Sequence, residues 1–391
     1  MNYNHAKHAA IYNFSYMSIG ALTPLIGQYL NSIGFDGTQI GAITAVGTAS
    51  AIFAAAFWGR CYSAASKKHE LLIFLCLAAA AAAFLLAHVK TYYCFAAAFG
   101  IMYFFQAPVM PLTDVFAVEH ADKGRGFGKM RAWGAVGFAA GVFLTGGAAA
   151  AFGISVMFDF YITGFFIAAV MIFAVAAGDR NAAAKRKQCR SKKNPEEKSG
   201  FGYIDVLKNK KLRRLIICTF FFGGTNVANN TYFGFLYTEG GGTIAGMGAA
   251  MLLMVGSEVP FMSWCERLSE RLTMKRIIMY SMMISVVRFV LMGMGLPWWM
   301  LLLISFSQGM VNGILLIEFV RYAAKIAPGG MESLAISSYY IIGSNISTIL
   351  CQITGGILLD TAGAAGVYMF FGIFNMAGLL LYIKFRLAEH S

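Results

Sequence analysis

The sequence predicts an all-α membrane protein, with twelve transmembrane helices in two six-helix pseudo-symmetric bundles. Three observations carry that expectation. Of 391 residues, 58% are hydrophobic and only 13% are charged, against roughly 45–50% and about 25% in soluble chains. The apolar residues gather into twelve runs long enough to cross a bilayer. The basic residues crowd the links on one side of those runs. Too little polar surface is left to clothe a soluble chain of this size. Disorder needs low hydrophobicity, and the 43 glycines show no three-residue period that would suggest collagen.

A spanning helix needs about 20 largely apolar residues. In chain order the runs lie at about 9–32, 38–63, 70–88, 92–115, 130–152, 155–177, 213–236, 243–265, 276–295, 297–320, 332–356 and 364–385. The first is full length and lacks a small-residue cleavage site, so a permanent helix is expected there, not a signal peptide. Pro24, Pro108, Pro111 and Pro260 interrupt apolar runs. Such breaks permit bending or stand as inert kinks.

The charges test the count. With the N-terminus inside, the inner segments hold Lys7, then Arg60, Lys67 and Lys68, then Lys123, Arg125, Lys129 and Arg131. They continue with Arg267, Arg271, Lys275, Arg276, Arg321, Lys325, Lys384 and Arg386, and thirteen more from Arg180 to Arg214. Only Lys90 falls in an outer link, and Arg288 lies within a run. That asymmetry follows the retention of positive loops in the cytoplasm. It accounts for the net charge of +13 without nucleic acid. A multi-pass plasma-membrane protein with both termini cytoplasmic is expected.

One composition break splits the runs six and six. Residues 181–211 contain AAAKRKQCRSKKNPEEKSG and most of the following YIDVLKNKKLRRL, which ends at Leu215. A basic cytoplasmic linker with a short amphipathic helix on the anionic leaflet is expected, as is a plain solvated tether. The division is therefore 1–180 for one bundle and 212–391 for the other. FWGRCYSAASKKHELL after the second run echoes SWCERLSERLTMKRII after the eighth. Two such halves suggest parallel repeats around a central cavity.

A charge at the bilayer centre costs at least ~2.5–3.5 kcal/mol, so each one is informative. Asp114 ends the fourth run and Arg131 opens the fifth; Glu258 lies deep in the eighth, Arg288 in the middle of the ninth and Glu318 late in the tenth. Glu258 and Arg288 are read as a cavity acid and its cation, or as a buried structural pair. Glu318 is one helical turn from Arg321 and is placed to pair with it. Amides also gather. Asn226 and Asn230 share one face of the seventh run, and Gln308 with Asn312 repeats the spacing in the tenth. Ser344 and Asn345 lie in the eleventh and Gln106 in the fourth. Such groups either contact a ligand or glue helices together. No HExxH, GxSxG or P-loop is present, which argues against an enzyme or an ATP-driven pump. The seven cysteines form no CxxC pair or Cys/His cluster, so no metal site or disulfide framework is indicated. No cofactor is expected.

These residues resemble the major facilitator superfamily across essentially the whole chain. Within it they resemble the lactose-permease-like branch, which includes phenylpropionic acid permease and nucleoside–proton symporters. The inner-loop signature survives as Gly59, Lys67 and Lys68, with Ser63 at the aspartate place and Ser66 at the second glycine. PLTDVFA with FGKMRAWGAVGF resembles the fourth and fifth helices of that branch. The resemblance implies that Asp114 and Arg131 contact substrate and that Phe138 takes the aromatic stacking position. GSEVPF implies an acid linking substrate and proton at Glu258, and SVVRFVL implies a proton-releasing arginine at Arg288. The tenth helix departs: Gln308 and Val311 stand where lactose permease has a histidine and a proton-carrying glutamate. Phe261 stands at the sugar-contacting asparagine. Galactoside is therefore not the expected solute, and Glu258 or Glu318 is left to carry the proton.

The expected activity is alternating-access transport of a small organic solute by proton-coupled symport. The solute class is a sugar, nucleoside or aromatic acid. Asp114, Arg131, Phe138, Glu258, Asn226, Asn230, Gln308, Asn312, Ser344 and Asn345 are the expected substrate contacts. Glu258, Arg288 and Glu318 are the expected coupling residues. The expected partners are the solute, protons and lipid, with no nucleic acid and no second protein chain. A proton-antiport exporter, a uniporter and a non-transporting membrane sensor stand as alternatives.

Overall fold

The computed structural model describes residues 3–120, 127–183, 208–327, 332–385 and 387. Residues 184–207, which hold most of the expected basic linker, lie outside the described residues. The described chain is helical, in the order α1 (Tyr3–Leu22), α2 (Ile26–Ser32), α3 (Gly37–Ala64), α4 (Lys68–His88), α5 (Tyr92–Gln106), α6 (Val109–His120), α7 (Phe127–Phe152) and α8 (Val156–Ala183). It resumes with α9 (Lys210–Glu239), α10 (Ile244–Arg271), α11 (Met274–Met292), α12 (Trp298–Ile326) and α13 (Glu332–Ser338). A π-helical segment (Tyr339–Ile346) then leads into α14 (Ser347–Lys384).

Local chemistry sets several of these boundaries. The Asn209 side chain accepts from the amides of Lys211 and Leu212, so α9 starts on a side-chain cap. Thr243 Oγ1 accepts from the Gly246 amide and starts α10 in the same way. Proline lacks the N–H that a helix interior needs. Accordingly the first apolar run breaks into α1 and α2 around Pro24, and the fourth into α5 and α6 around Pro108. Pro111 and Pro260, by contrast, sit inside α6 and α10 without splitting them. Gly363, with φ +67°, breaks α14, because L side chains rarely adopt that backbone. It falls between the eleventh and twelfth apolar runs.

Among the described residues, seven helices are long and apolar enough to cross a membrane: Gly37–Ala64, Lys68–His88, Tyr92–Ala117, Met130–Phe152, Val156–Ala177, Trp298–Ile326 and the kinked Ala335–Lys384. Helix α9 opens on Lys210, Lys211, Arg213 and Arg214, and its apolar stretch carries three asparagines, Asn226, Asn229 and Asn230. Large apolar side chains point outward along these helices, with Phe53, Phe152 and Leu303 among the most exposed. In water that surface would be costly; in hydrocarbon it is the solvated face.

The chain groups into two compact units: Met1–Thr23 with Ser50–Lys198, and Pro24–Ala49 with Ser199–Ser391. The second unit thus takes residues 24–49 out of the stretch 1–180. In the first unit α1 packs on α7 and α8, and α4 packs on α5 and α8. Gly134, Gly137 and Gly141 of α7 face Tyr16, Asn13 and Met17 of α1, where a methyl group would collide. In the second unit α9 packs on α14 and the π segment, α10 on α12, and α11 on α12 and α14. Leu212, Leu215, Phe222, Ile278, Met282 and Val311 form part of its apolar core.

Candidate functional site

The second unit holds a cavity of about 230 Å³, and all twelve lining residues belong to that unit. Helix α9 supplies Thr219, Phe222, Asn226 and Asn230, α10 supplies Glu258, and α12 supplies Asn312 and Phe319. The π segment supplies Tyr339 and Ser344. Thr219, Asn226 and Asn230 recur at helical spacing, so α9 turns one polar stripe into the space. A π turn re-aims side chains relative to an α-helix and is frequent at functional sites. Here it sets Gly343 against Thr219, close enough that a methyl group there would collide.

Asn312 Nδ2 donates to Glu258 Oε1 at 3.1 Å. An ionised carboxylate only accepts, so the amide nitrogen must face it. The Asn312 oxygen is left to accept from another group. On α9, Asn226 is held from two sides. Arg288 Nη2 donates to Asn226 Oδ1 at 3.1 Å, and Asn226 Nδ2 donates to the Phe222 carbonyl at 3.1 Å.

Arg288 itself is only 2% exposed. Its guanidinium carbon lies 4.1 Å from the centroid of the Phe289 ring. Among the described residues its Nε and Nη1 have no hydrogen-bond partner. Next to this region a second buried network runs through α9, α10, α11 and α14. Tyr368 donates to Asn229 Oδ1 at 2.7 Å, Asn229 reaches Met254 Sδ at 3.9 Å, and Asn375 bridges Thr225 and Ser285. These groups satisfy one another and glue helices together.

The remaining expected residues of this unit are placed as follows. Glu258 and Arg288 form no ion pair; Asn312 meets the acid and Asn226 meets the cation, so neither is left facing the other. Asn226, Asn230, Asn312 and Ser344 line the cavity, whereas Gln308, Asn345, Arg288 and Glu318 do not. Gln308 is buried with its Oε1 unsatisfied. Glu318 is 1% exposed and is bonded by Arg321 Nη1 at 3.2 Å, one turn away.

In the first unit, Asp114 is the centre of a separate polar group. Tyr12 donates to Asp114 Oδ1 at 2.7 Å, and Arg131 Nη1 stands 3.6 Å from Asp114 Oδ2. Tyr16, one turn along α1, stands close to the same pair. The ion pair is half-exposed, so the Tyr12 bond is the firmer part of the group. Phe138 faces Gly20 of α1 with its backbone carbonyl, at the crossing of the two helices. Gln106 is taken by Tyr161, whose hydroxyl donates to it at 2.7 Å.

Tyr12, Tyr16, Thr219 and Tyr339 went unnoticed in the sequence. A tyrosine in an apolar run is ordinarily an interface anchor, and a lone threonine bonds its own helix. The i, i+4 pairing of Tyr12 and Tyr16 was the one available signal. Among the described residues no group of three or more His, Cys, Asp or Glu is placed to hold a metal ion.

Comparison with known proteins gives the wider setting. The family model described as "MFS_1 like family" matches residues 5–370. The chain is 28% identical over 384 residues to a maltose permease of Geobacillus stearothermophilus, covering 97% of this chain and 94% of that one. It is 26% identical over 399 residues to the uncharacterized transporter YwbF of Bacillus subtilis strain 168, covering 99% and 95%. Its fold matches the crystal structure of the nucleoside transporter NupG with a TM-score of 0.84 at 17% identity, over all of both chains. An auto-inhibited POT family peptide transporter matches with a TM-score of 0.75 at 14% identity, over 98% of this chain and 96% of that one.

Proposed function

Because the chain belongs to the MFS_1-like family, and so is a multi-pass membrane transporter of small solutes and not an enzyme, we propose that its solute is a neutral hydroxylated molecule, a sugar or a nucleoside. One observation carries the choice. The cavity wall offers amides, hydroxyls and a single carboxylate beside Phe222, Phe319 and Tyr339, but no cation. Amides and carboxylates match hydroxyl groups, and aromatic rings match the flat apolar faces of sugars and bases. A solute acid would meet Glu258 in this wall, and the cation proposed for the first half, Arg131, already faces Asp114. The maltose permease relative supports a sugar, and the nucleoside transporter offers a second probe.

The proposed cycle is proton-coupled symport by alternating access. Protonation of Glu258 removes a charge from a low-dielectric wall and lowers the cost of carrying the site through a closed state. Asn312 remains bonded to the acid in either state, since a protonated carboxyl still accepts. Twelve spans in halves 1–180 and 212–391, joined by the basic linker 181–211, complete the proposal. Both termini face the cytoplasm and the host membrane is the plasma membrane. The Asp114, Tyr12 and Arg131 group is the proposed polar site of the first half.

A uniporter is the second reading. It is favoured by Gln308 and Val311, which carry no proton, and by Glu318, which Arg321 engages. Proteoliposomes under an imposed pH gradient separate the two. Symport predicts accumulation of labelled maltose or uridine driven by the gradient, with alkalinisation of the side that supplies the proton. Uniport predicts equilibration alone. Transport of an aromatic acid in place of both neutral probes would overturn the solute class.

A further inference from the structure

Helices α9 and α14 meet along a seam that is strongly basic at one end. Lys210, Lys211, Arg213 and Arg214 crowd the start of α9, whose first turn holds no acidic residue. Two further cations are brought to them. Asn209 Nδ2 donates to the Ile326 carbonyl at 3.1 Å, which sets Lys325 at the end of α12 beside the start of α9. The Arg214 guanidinium carbon lies 5.4 Å from the centroid of the Phe385 ring, and Phe385 directly follows Lys384, the last residue of α14. All six cations are exposed, and among the described residues none of them makes an ion pair.

The start of α4 in the first unit is built differently. There Lys67 Nζ meets Glu70 Oε1 at 2.8 Å, so the basic turn carries its own acid. At α9 the cations also face the positive end of the helix dipole, so helix stability alone gives no reason for them. Membrane topology requires only that cations stay on one side. It does not require three helix ends to converge, or an aromatic ring to hold one guanidinium in place.

One turn deeper the same faces become apolar. Ile217 shares a face of α9 with Lys210, Arg213 and Arg214. On α14, Ile373, Met376, Leu380 and Ile383 recur at helical spacing along a face that ends at Lys384. All five apolar side chains are exposed. Between the two helices Gly378 lies against Phe221 and Phe222, where a methyl group would collide, and the Phe221 and Phe374 rings stand 4.6 Å apart. Cations at one end of a continuous apolar surface match a phosphate diester that carries acyl chains. A water-soluble polyanion would match the cations alone.

We propose that the seam of α9 and α14 holds an anionic glycerophospholipid, with its phosphate among Lys210, Arg214 and Lys384 and its acyl chains along Ile217, Leu380 and Ile383. None of these residues lines the cavity, so the site does not depend on which solute is carried.

Native mass spectrometry of the full chain in detergent, with phosphatidylglycerol or phosphatidylcholine added, tests it. The wild type is expected to retain phosphatidylglycerol and to lose phosphatidylcholine. Lys210→Gln, Arg214→Gln and Lys384→Gln together are expected to weaken that retention at least about tenfold, because each basic residue at a membrane surface adds to the attraction. Three cations removed elsewhere, by Arg60→Gln, Lys67→Gln and Lys68→Gln, are expected to leave it unchanged. Ile217→Ala with Leu380→Ala is expected to weaken it about threefold through lost acyl contact. Equal melting temperatures in phosphatidylcholine nanodiscs show that these variants are folded, and Lys384→Gln alone, expected to weaken retention about threefold, is read if the triple variant is not. Equal retention by the two triple variants would overturn the site, as would no effect of Lys384→Gln. So would equal retention of phosphatidylcholine, which would mean an unselective lipid coat. Displacement of the lipid by glycerol 3-phosphate, or no effect of the two alanines, would reduce the seam to a plain anion site and overturn the lipid.

Discussion

Arg288 Nη2 donates to Asn226 Oδ1 at 3.1 Å, and this bond fixes which end of the amide faces the cation. A guanidinium has donors only, so the amide oxygen must turn towards it. One N–H of Asn226 goes to the Phe222 carbonyl, and the second is left without a named partner. We propose that Arg288 is a positioning residue, since Asn226 lines the cavity and Arg288 does not.

Replacing Arg288 with Met separates stability from function. Among the described residues two of its donors have no hydrogen-bond partner, and a buried charge so poorly compensated contributes little to stability. The expected result is an unchanged or raised melting temperature in detergent together with about tenfold weaker solute binding. The loss of binding follows from an Asn226 free to turn, and Arg288→Lys is expected to restore part of it. A fall of several degrees in melting temperature with binding intact would contradict the positioning role.

Glu258→Gln preserves the Asn312 contact but cannot exchange a proton. Counterflow of maltose or uridine is expected to persist while uphill accumulation under a pH gradient disappears. Asn312→Asp is the complementary test, since it sets two carboxylates about 3 Å apart. Its melting temperature is expected to drop at neutral pH and to recover on acidification. Full uphill accumulation by the Gln variant would remove Glu258 from coupling.

Tyr12→Phe deletes the firmer bond to Asp114. The expected loss is about 1 kcal/mol of stability, read as a lowered melting temperature. Arg131→Ala is expected to cost less, at most about 1 kcal/mol, because its pair with Asp114 is half-exposed. The reverse order would mean that the ion pair and not the tyrosine holds the group.

Gly137→Ala and Gly141→Ala press a methyl group into the carbonyls of Asn13 and Met17. Each is expected to destabilise the first unit by about 1–3 kcal/mol through a forced backbone shift. Gly147→Ala, which meets open space, is the control and is expected to be neutral or stabilising. Equal melting temperatures for all three would deny the close crossing of α1 and α7.

Hydropathy and charge act over short stretches, so the amino-acid order alone determined the all-helical membrane character, the basic links and the few costly charges. Proline chemistry is equally local, and Pro24 and Pro108 break their helices as a missing N–H requires. Helical spacing also put Asn226 and Asn230 on one face, and both reach the cavity. The same spacing failed for Gln308 and Asn312. Periodicity gives the face of a helix but not where along its length a neighbour closes over it. Only the packing of α10 on α12, with Gly309 pressed against Ser257, decided that Asn312 meets Glu258 while Gln308 is buried outside the lining. The partners of Arg288 and Asp114 were likewise settled in three dimensions. Their bonds span 62 and 102 residues, and pairings at that separation depend on how whole helices cross, which no local pattern encodes.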